Sequence, residues 1–146
     1  MTEITSLELA KQCSAHMHAR DAVAANMHMI PEIISPGAAK VSMTITPSML
    51  NGLGTCHGGM IFTLADTALA HACNSRNEAN VAMDCRIDFL SPGLEGDLLL
   101  ATATEKHKGR KSSLYEVVVS NQSGKNIALF QGRSYFIGRP VIQEAL

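Results

Sequence analysis

The longest apolar segment of the chain runs from Gly58 to about Asn74. It is rich in Ala, Leu and Met, which favour helix, and it is long enough for four helical turns. Because it is apolar nearly all round, the pattern predicts a buried helix rather than a surface helix. We expect Thr55 or His57 to begin this helix and the polar stretch NSRN (74–77) to end it.

Other segments alternate between apolar and polar residues, with the period of β-strands. In KVSMTIT (40–46), one face holds Val41, Met43 and Ile45. In VAMDCRIDFL (81–90), one face is expected to hold Val81, Met83, Cys85, Ile87 and Phe89. Three further strands are predicted at 97–107, 113–121 and 126–138, and QSGK (122–125) is typical of a tight hairpin turn.

The order of these elements indicates a fold. Residues 6–19 are expected to form a short helix with Ser6 as its N-cap, and residues 21–37, which contain two prolines, to be irregular. A strand, the long helix and four strands in a meander follow. One helix against one antiparallel sheet is an α+β layer architecture, and a central helix wrapped by a curved sheet in this order is the hotdog fold. We expect a single domain over 1–146, with its core at about 38–138.

Composition narrows the classes of function. A chain of 146 residues suits one domain with a hydrophobic core. Its net charge of −1 argues against a nucleic-acid binder with a broad basic face. The sequence has no apolar stretch of membrane-spanning length, and its N-terminus lacks the basic start of a secretory signal. The four cysteines form no CxxC pair, which favours reduced thiols in the cytoplasm.

Asp66 is an unusual residue for its position. It is the one acidic or basic residue from Met60 to Cys73, apart from His71. Its neighbours three and four positions away along the helix are apolar residues and a threonine, so none neutralises it. Burying an unpaired carboxylate is costly, which makes Asp66 a candidate functional residue. The alternative is that it faces solvent at a helix edge or caps another backbone segment.

The motif HGG (57–59) lies where the long helix is expected to begin. Free N–H groups at a helix start attract negative charge, and one of them could hold a carbonyl oxygen on which negative charge develops. Gly58 and Asp66 are separated by about 12 Å along one helix, at 1.5 Å per residue. That is too far for one substrate carbon, so the two groups could act together only across an interface between two copies of the chain.

Several motifs resemble one known family. NGLGTCHGG (51–59), TLADTALAHACN (63–74) and RIDFLSPG (86–93) are similar to the phenylacetic-acid-degradation branch of hotdog acyl-CoA thioesterases. The likeness covers about residues 15 to 138. It implies hydrolysis of acyl-CoA thioesters, often aryl-acetyl or hydroxylated aryl-acetyl ones, by tetramers of two dimers with active sites between subunits. It also implies that no metal or other cofactor is needed.

The resemblance assigns roles to four residues. Asp66 matches the catalytic acid, acting as general base or as nucleophile. Gly58 matches the residue whose N–H polarises the thioester carbonyl, Asn51 the residue that orients water or nucleophile, and His57 a supporting residue. Structural alternatives exist, because Asn-Gly is a turn signal and a histidine at a helix start is often only hydrogen-bonded. Related animal enzymes carry a serine that assists the water where this chain has Ala82.

The segment EKHKGRKSS (105–113) offers basic groups for the phosphates of coenzyme A. The candidates are Lys108, Arg110 and Lys111, with Arg133 and Arg86 as weaker ones. The alternative is a solvated hairpin tip. His16 and His18 do not predict a metal site, because the i,i+2 spacing points them to different helix faces.

The sequence alone is also compatible with two other functions. A hotdog hydratase or dehydratase would need a paired acid and histidine placed on the acyl chain, and a non-catalytic module would bind acyl-CoA without turnover. Asp66 favours catalysis, because a binding module has no need of a desolvated acid. The expected partners are an acyl-CoA and further copies of the chain, without nucleic acid or membrane.

Overall fold

The computed structural model describes residues 3–143 and contains one antiparallel sheet with helices on it. The helices are α1 (Ser6–His18), α2 (Ala22–Asn26) and α3 (Gly58–Cys73), with a 3-10 turn at Pro47–Met49. The strands are β1 (Ile30–Ser35), β2 (Ala38–Thr44), β3 (Asn80–Phe89), β4 (Leu98–Lys108), β5 (Ser112–Ser120) and β6 (Asn126–Phe136). Helix α3 contacts all six strands of the sheet, so the hotdog arrangement is confirmed.

The order of the strands differs from the predicted four-strand meander. The sheet runs β1-β2-β4-β5-β6-β3, so only β4, β5 and β6 form a meander. Strand β3 pairs antiparallel with β6 at the far edge, and β2 lies beside β4. The prediction was wrong because alternation reports which side of a strand faces the core and carries no information about its neighbour.

The segment 21–37 was expected to be irregular, but it contains α2 and β1. Helix α2 begins after Asp21, whose Oδ1 accepts a hydrogen bond of 2.9 Å from the Ala24 N–H. Strand β1 contains Pro31, which is tolerated because β1 is an edge strand that pairs with β2 alone. The N-cap of α1 is Thr5 rather than Ser6, because Thr5 and Glu8 exchange side-chain and backbone hydrogen bonds in a capping box.

Strand β3 does not keep the predicted alternation. Its register against β6 shifts between Ala82 and Asp84, which leaves Met83 as the extra residue of a bulge. Beyond the bulge, Cys85, Ile87 and Phe89 oppose inward residues of β6, as predicted. Val81, however, opposes the exposed Tyr135 on the outer face. One extra residue inverts the faces of a strand, and as a result Val81 and Met83 are 50% and 56% exposed.

The core lies between α3 and the inner face of the sheet. Leu64, Ala65 and Ala68 of α3 are fully buried there, and Phe62 packs edge-to-face on Phe130 with ring centroids 5.3 Å apart. The predicted hairpin turn between β5 and β6 is confirmed by an Asn121 N–H bond of 3.0 Å to the Lys125 carbonyl. Among the described residues, no helix is long and apolar enough to cross a membrane.

Candidate active site

The start of α3 presents an unused N–H group. His57 is the N-cap, and its Nδ1 accepts a hydrogen bond of 3.2 Å from the Gly59 N–H. The N–H groups of Met60 and Ile61 donate to the His57 carbonyl at 2.9 and 3.4 Å. The Gly58 N–H finds no acceptor among residues 3–143. It is therefore a free donor at the positive end of a helix dipole.

Gly58 is in close contact with the end of β3. A Cβ atom on Gly58 would lie 2.9 Å from Cζ of Phe89, so only glycine fits beneath the ring in its present position. Both residues line a cavity of about 380 Å³ whose wall also includes Ile61 and Pro92. The free N–H thus belongs to a residue in the wall of an open cavity, where a small group could reach it.

Asn51 lies in the loop that leads to this helix start. Its Oδ1 accepts hydrogen bonds from the N–H groups of Leu53 and Thr55 at 2.9 and 3.2 Å, and its Nδ2 donates to Thr55 Oγ1 at 3.0 Å. The side chain therefore stabilises the loop 51–55 by hydrogen bonds, as expected if Asn51 is a turn residue. Its orienting role in catalysis stays a prediction.

Asp66 lies two turns into α3 and is half-buried. It forms no hydrogen bond or ion pair with any residue of the described part of the chain. Burial raises the pKa of its carboxyl, and the negative charge of Asp21 raises it further. Its own charge contributes to the raised pKa of Cys85 on the inner face of β3, so the carboxylate lies near the free edge of the sheet. Such an unpaired acid is a perturbed group of the kind found at functional sites.

The structure brings some predicted site residues together and keeps others apart. Asn51, His57 and Gly58 lie together at the start of α3. Asp66 lies about 12 Å further along the same helix. The basic turn between β4 and β5 (108–111) lies at the opposite end of the sheet from Gly58. Ser112, which follows the turn, pairs with Tyr135 near the end of β6, whereas Phe89, which contacts Gly58, pairs with Ala128 near the start of β6.

In the basic turn, the side chains differ in how they are paired. Lys108 Nζ lies 3.0 Å from Glu78 Oε2, so its charge is compensated. Arg110 and Lys111 form no ion pair within the described range, and with His107 and Arg133 they line a cavity of about 430 Å³. Sequence reasoning could not find Glu78 as a partner, because it is 30 positions from Lys108.

Sequence reasoning missed the effect of Asp21 on Asp66. Asp21 carried no signal in the sequence, yet its charge acts on Asp66. The side chain of His71 is buried, and its Nδ1 lies 2.8 Å from the Oγ of Ser14. Burial, with a smaller effect of His18, lowers the pKa of His71 to about 4. No cluster of His, Cys, Asp and Glu suited to a metal ion occurs between residues 3 and 143.

Comparisons with known proteins indicate the family of the chain. A model of the thioesterase superfamily matches residues 53–128. The acyl-coenzyme A thioesterase PaaI of Escherichia coli K12 is 47% identical over 133 residues, which cover 90% of this chain and 95% of that protein.

Solved structures give the same result. The structure of the E. coli PaaI protein from the phenylacetic acid degradation operon superposes with a TM-score of 0.91 at 44% identity, over 93% of this chain and 99% of that one. A Streptococcus mutans protein solved bound to acetyl CoA superposes with a TM-score of 0.73 at 28% identity, over 76% and 90% of the two chains.

Proposed function

The chain belongs to the thioesterase superfamily, and we propose that it hydrolyses acyl-CoA thioesters, with aryl-acetyl-CoA of the phenylacetyl or hydroxylated phenylacetyl type as its substrate class. The single observation that carries the proposal is Asp66, a half-buried carboxylate in an otherwise apolar helix that has no hydrogen-bond or ion-pair partner among residues 3–143. The name of the E. coli relative and the acetyl CoA bound in the S. mutans protein support coenzyme A thioesters as the substrate.

The proposed chemistry uses two groups. Asp66 activates the attack on the thioester carbonyl, as general base on water or as the nucleophile itself. The Gly58 N–H donates to the carbonyl oxygen as negative charge develops on it. In the general-base form, a water oxygen bonds to the carbonyl carbon and its proton passes to Asp66. The C–S bond then breaks, and Asp66 returns the proton to the leaving sulfur. The products are the free acid and coenzyme A, and no metal or other cofactor takes part.

The two groups must come from different subunits. The outer edge of β3 pairs with no other strand of the described chain, and it carries the exposed side chains of Val81, Met83 and Phe89. An unprotected apolar edge is suited to pairing with a second copy. Antiparallel pairing of two β3 strands about a two-fold axis sets the Phe89 end of one beside the Asn80 end of the other. It thereby moves one subunit's Gly58 towards its partner's Asp66, and we propose a tetramer of two such dimers.

The coenzyme A part of the substrate carries negatively charged phosphates. We assign its phosphates to Arg110 and Lys111, which form no ion pair with any residue from 3 to 143, with Arg133 beside them. Lys108 contributes less, because Glu78 already neutralises it. The four cysteines are unpaired thiols, which fits a reducing compartment, and we place the enzyme in the cytoplasm.

The test is release of free thiol from a panel of acyl-CoA substrates, with the wild type and Asp66→Asn measured side by side. Asn keeps the shape of the side chain and removes its basicity. Release by the wild type that collapses in a variant of unchanged fold and assembly supports the proposal. Equal release by both proteins would remove Asp66 from the chemistry. No release from any substrate would favour a binding module.

A further inference from the structure

The loop 51–55, which leads to the start of α3, contains the chain's one Asn–Gly step, Asn51–Gly52. We propose that Asn51 is a site of covalent modification, at which its side-chain amide reacts with the Gly52 nitrogen and is converted to aspartate or isoaspartate. Water is the only other reactant. The conversion is independent of the proposed function, and only its effect on activity rests on that function.

A second loop of the chain, 121–125 between β5 and β6, has the same hydrogen-bond pattern and provides an internal comparison. In each loop, the Oδ1 of the first asparagine accepts hydrogen bonds from the N–H groups two and four positions later. The distances are 2.9 and 3.2 Å for Asn51 and 3.0 Å in both cases for Asn121. In each loop the asparagine N–H also donates to the carbonyl of the fifth residue, at 2.8 and 3.0 Å. The two loops therefore share a backbone arrangement and differ in their side chains.

The matching loop shows that the backbone does not require glycine at position 52. A positive φ occurs at the fourth position of each loop, 80° at Gly54 and 78° at Gly124, and not at the second. At the second position the loop 121–125 has Gln122. A Cβ atom on Gly52 would have no heavy atom of a non-adjacent residue within 4 Å. What glycine changes at this position is the accessibility of its peptide nitrogen.

The Gly52 nitrogen is well placed as a nucleophile. Gly52 is exposed, and its N–H donates to no acceptor among residues 3–143. The hydrogen bond from the Leu53 N–H to Asn51 Oδ1 closes an Asx turn. The ring that this bond closes contains the Gly52 peptide, so the Asn51 side chain is folded over the Gly52 nitrogen. Holding two reacting groups together in one chain favours their reaction.

The Asn51 amide is suited to being attacked. When the Gly52 nitrogen bonds to Cγ, negative charge develops on Oδ1, and the N–H groups of Leu53 and Thr55 already donate to that atom. The Cγ–Nδ2 bond then breaks, and the amide leaves as ammonia with the proton of the Gly52 nitrogen. Water opens the resulting cyclic imide at one of its two carbonyl carbons. Opening at Cγ gives aspartate, and opening at the main-chain carbonyl carbon gives isoaspartate.

Both products disturb the loop before α3. Asn51 Nδ2 donates a hydrogen bond of 3.0 Å to Thr55 Oγ1, and a carboxylate has no proton to donate. Isoaspartate also lengthens the backbone by one carbon inside a loop that is closed by the bond of 2.8 Å from the Asn51 N–H to the Thr55 carbonyl. This loop leads directly to Gly58, so we expect converted molecules to lose thioesterase activity.

The experiment follows the whole protein during incubation at mildly alkaline pH, which favours loss of the peptide proton. Samples taken over time are digested, and mass spectrometry with enzymatic methylation of isoaspartate measures conversion at Asn51 and Asn121, relative to the unincubated sample. The control variant is Gly52→Gln, which gives the loop 51–55 the residue that the matching loop has. The expected result is conversion of Asn51 to both products in the wild type, whereas Asn121, and Asn51 in Gly52→Gln, remain amides.

Release of free thiol from an acyl-CoA is measured on the same samples. Activity of the wild type should fall in proportion to the fraction converted, while Gly52→Gln keeps its own starting activity. Conversion at Asn51 no faster than at Asn121, or equal conversion in the wild type and Gly52→Gln, would overturn the inference. If Gly52→Gln does not fold, the comparison of Asn51 with Asn121 decides alone. Failure of the fresh wild type to cleave any thioester would overturn the proposed function and not the modification.

Discussion

A Cβ atom on Gly58 would lie 2.9 Å from Cζ of Phe89, while the Gly58 N–H itself has no acceptor in the described part of the chain. The position is the first residue of α3, where proline is well tolerated, and the preceding His57 has the extended conformation that proline requires. Gly58→Pro and Gly58→Ala therefore both place a Cβ against Phe89, but only the proline removes the N–H.

We expect Gly58→Pro to lower kcat by about 10² to 10³, the usual effect of losing one oxyanion donor. Gly58→Ala should lose far less, because it keeps the donor and shifts the Phe89 ring equally. Steady-state kinetics on one acyl-CoA, with circular dichroism to confirm the fold, compares the two variants. Equal losses in both would mean that the Phe89 contact, and not the N–H, is what the position requires.

The same variants test whether the site is shared between subunits. Gly58→Pro and Asp66→Asn are each expected to be nearly inactive alone. If a site takes Gly58 from one chain and Asp66 from another, refolding the two together at equal amounts should restore about a quarter of the wild-type activity by random pairing. The activity is measured after verifying that the mixed assembly has the wild-type mass. No recovery would contradict a shared site, because two groups within one chain cannot complement in this way.

The sequence predicted the parts of the fold that depend on local composition. The apolar run predicted a helix from 58 to about 74, and α3 spans Gly58–Cys73. Its N-cap is His57, one of the two residues expected to begin it. The sequence did not predict that β3 leaves the meander, because strand partners are set by contacts between distant residues. It also could not locate the bulge at Met83, since the apolar alternation continues unbroken through it.

The candidate site was predictable to a similar extent. Asp66 and HGG stood out because a lone acid and paired glycines are unusual in an apolar helix. Glu78 beside Lys108 and Asp21 near Asp66 were not predictable, because both pairings depend on chain segments that meet only in three dimensions.

We expect protonation of Asp66 to cause the fall in rate at the acid side of the pH–rate profile. Burial, followed by the charge of Asp21, raises its pKa, and the base must be ionised, so kcat should fall as pH drops through a value above that of an ordinary aspartate. Asp21→Asn removes the neighbouring charge and should move this fall to lower pH. Asparagine is also a good N-cap, so α2 is retained. If Asp21→Asn changes KM but its kcat falls at the same pH as that of the wild type, Asp21 acts on substrate binding alone.

The Glu105 carboxylate should be important for stability. It accepts two hydrogen bonds from Arg76, the longer of 3.0 Å, and one of 2.8 Å from the Tyr115 hydroxyl. Its side chain is 19% exposed, whereas the pair Lys106–Glu116 is about half exposed on both sides. We expect Glu105→Gln to lower the free energy of unfolding by about 2 kcal/mol and Glu116→Gln by about 0.5 kcal/mol or less. Urea denaturation of both variants measures this, and similar losses would show that the partly buried network of Arg76, Glu105 and Tyr115 adds nothing to stability.

His71 should make the fold sensitive to acid. Burial and the neighbouring His18 lower its pKa to about 4, although Asp21 opposes this, and Ser14 is its hydrogen-bond partner. Because the pKa is lower in the folded state, the unfolded chain takes up a proton first. Stability is therefore complete above about pH 6.5, the ordinary histidine value, and is lost as pH falls towards 4.

The expected loss from this one group between pH 7.5 and 4.5 is about 2 to 3 kcal/mol. His71→Asn keeps a hydrogen-bonding side chain near Ser14 and cannot titrate, so its free energy of unfolding should change by that much less over the same range. Urea denaturation at several pH values, with the assembly state checked at each, compares the two proteins. Ser14→Ala serves as the second variant, since it weakens the fold at neutral pH but leaves the histidine able to titrate. Equal pH dependence in the wild type and His71→Asn would mean that the acid sensitivity comes from other groups, such as the Glu105 network.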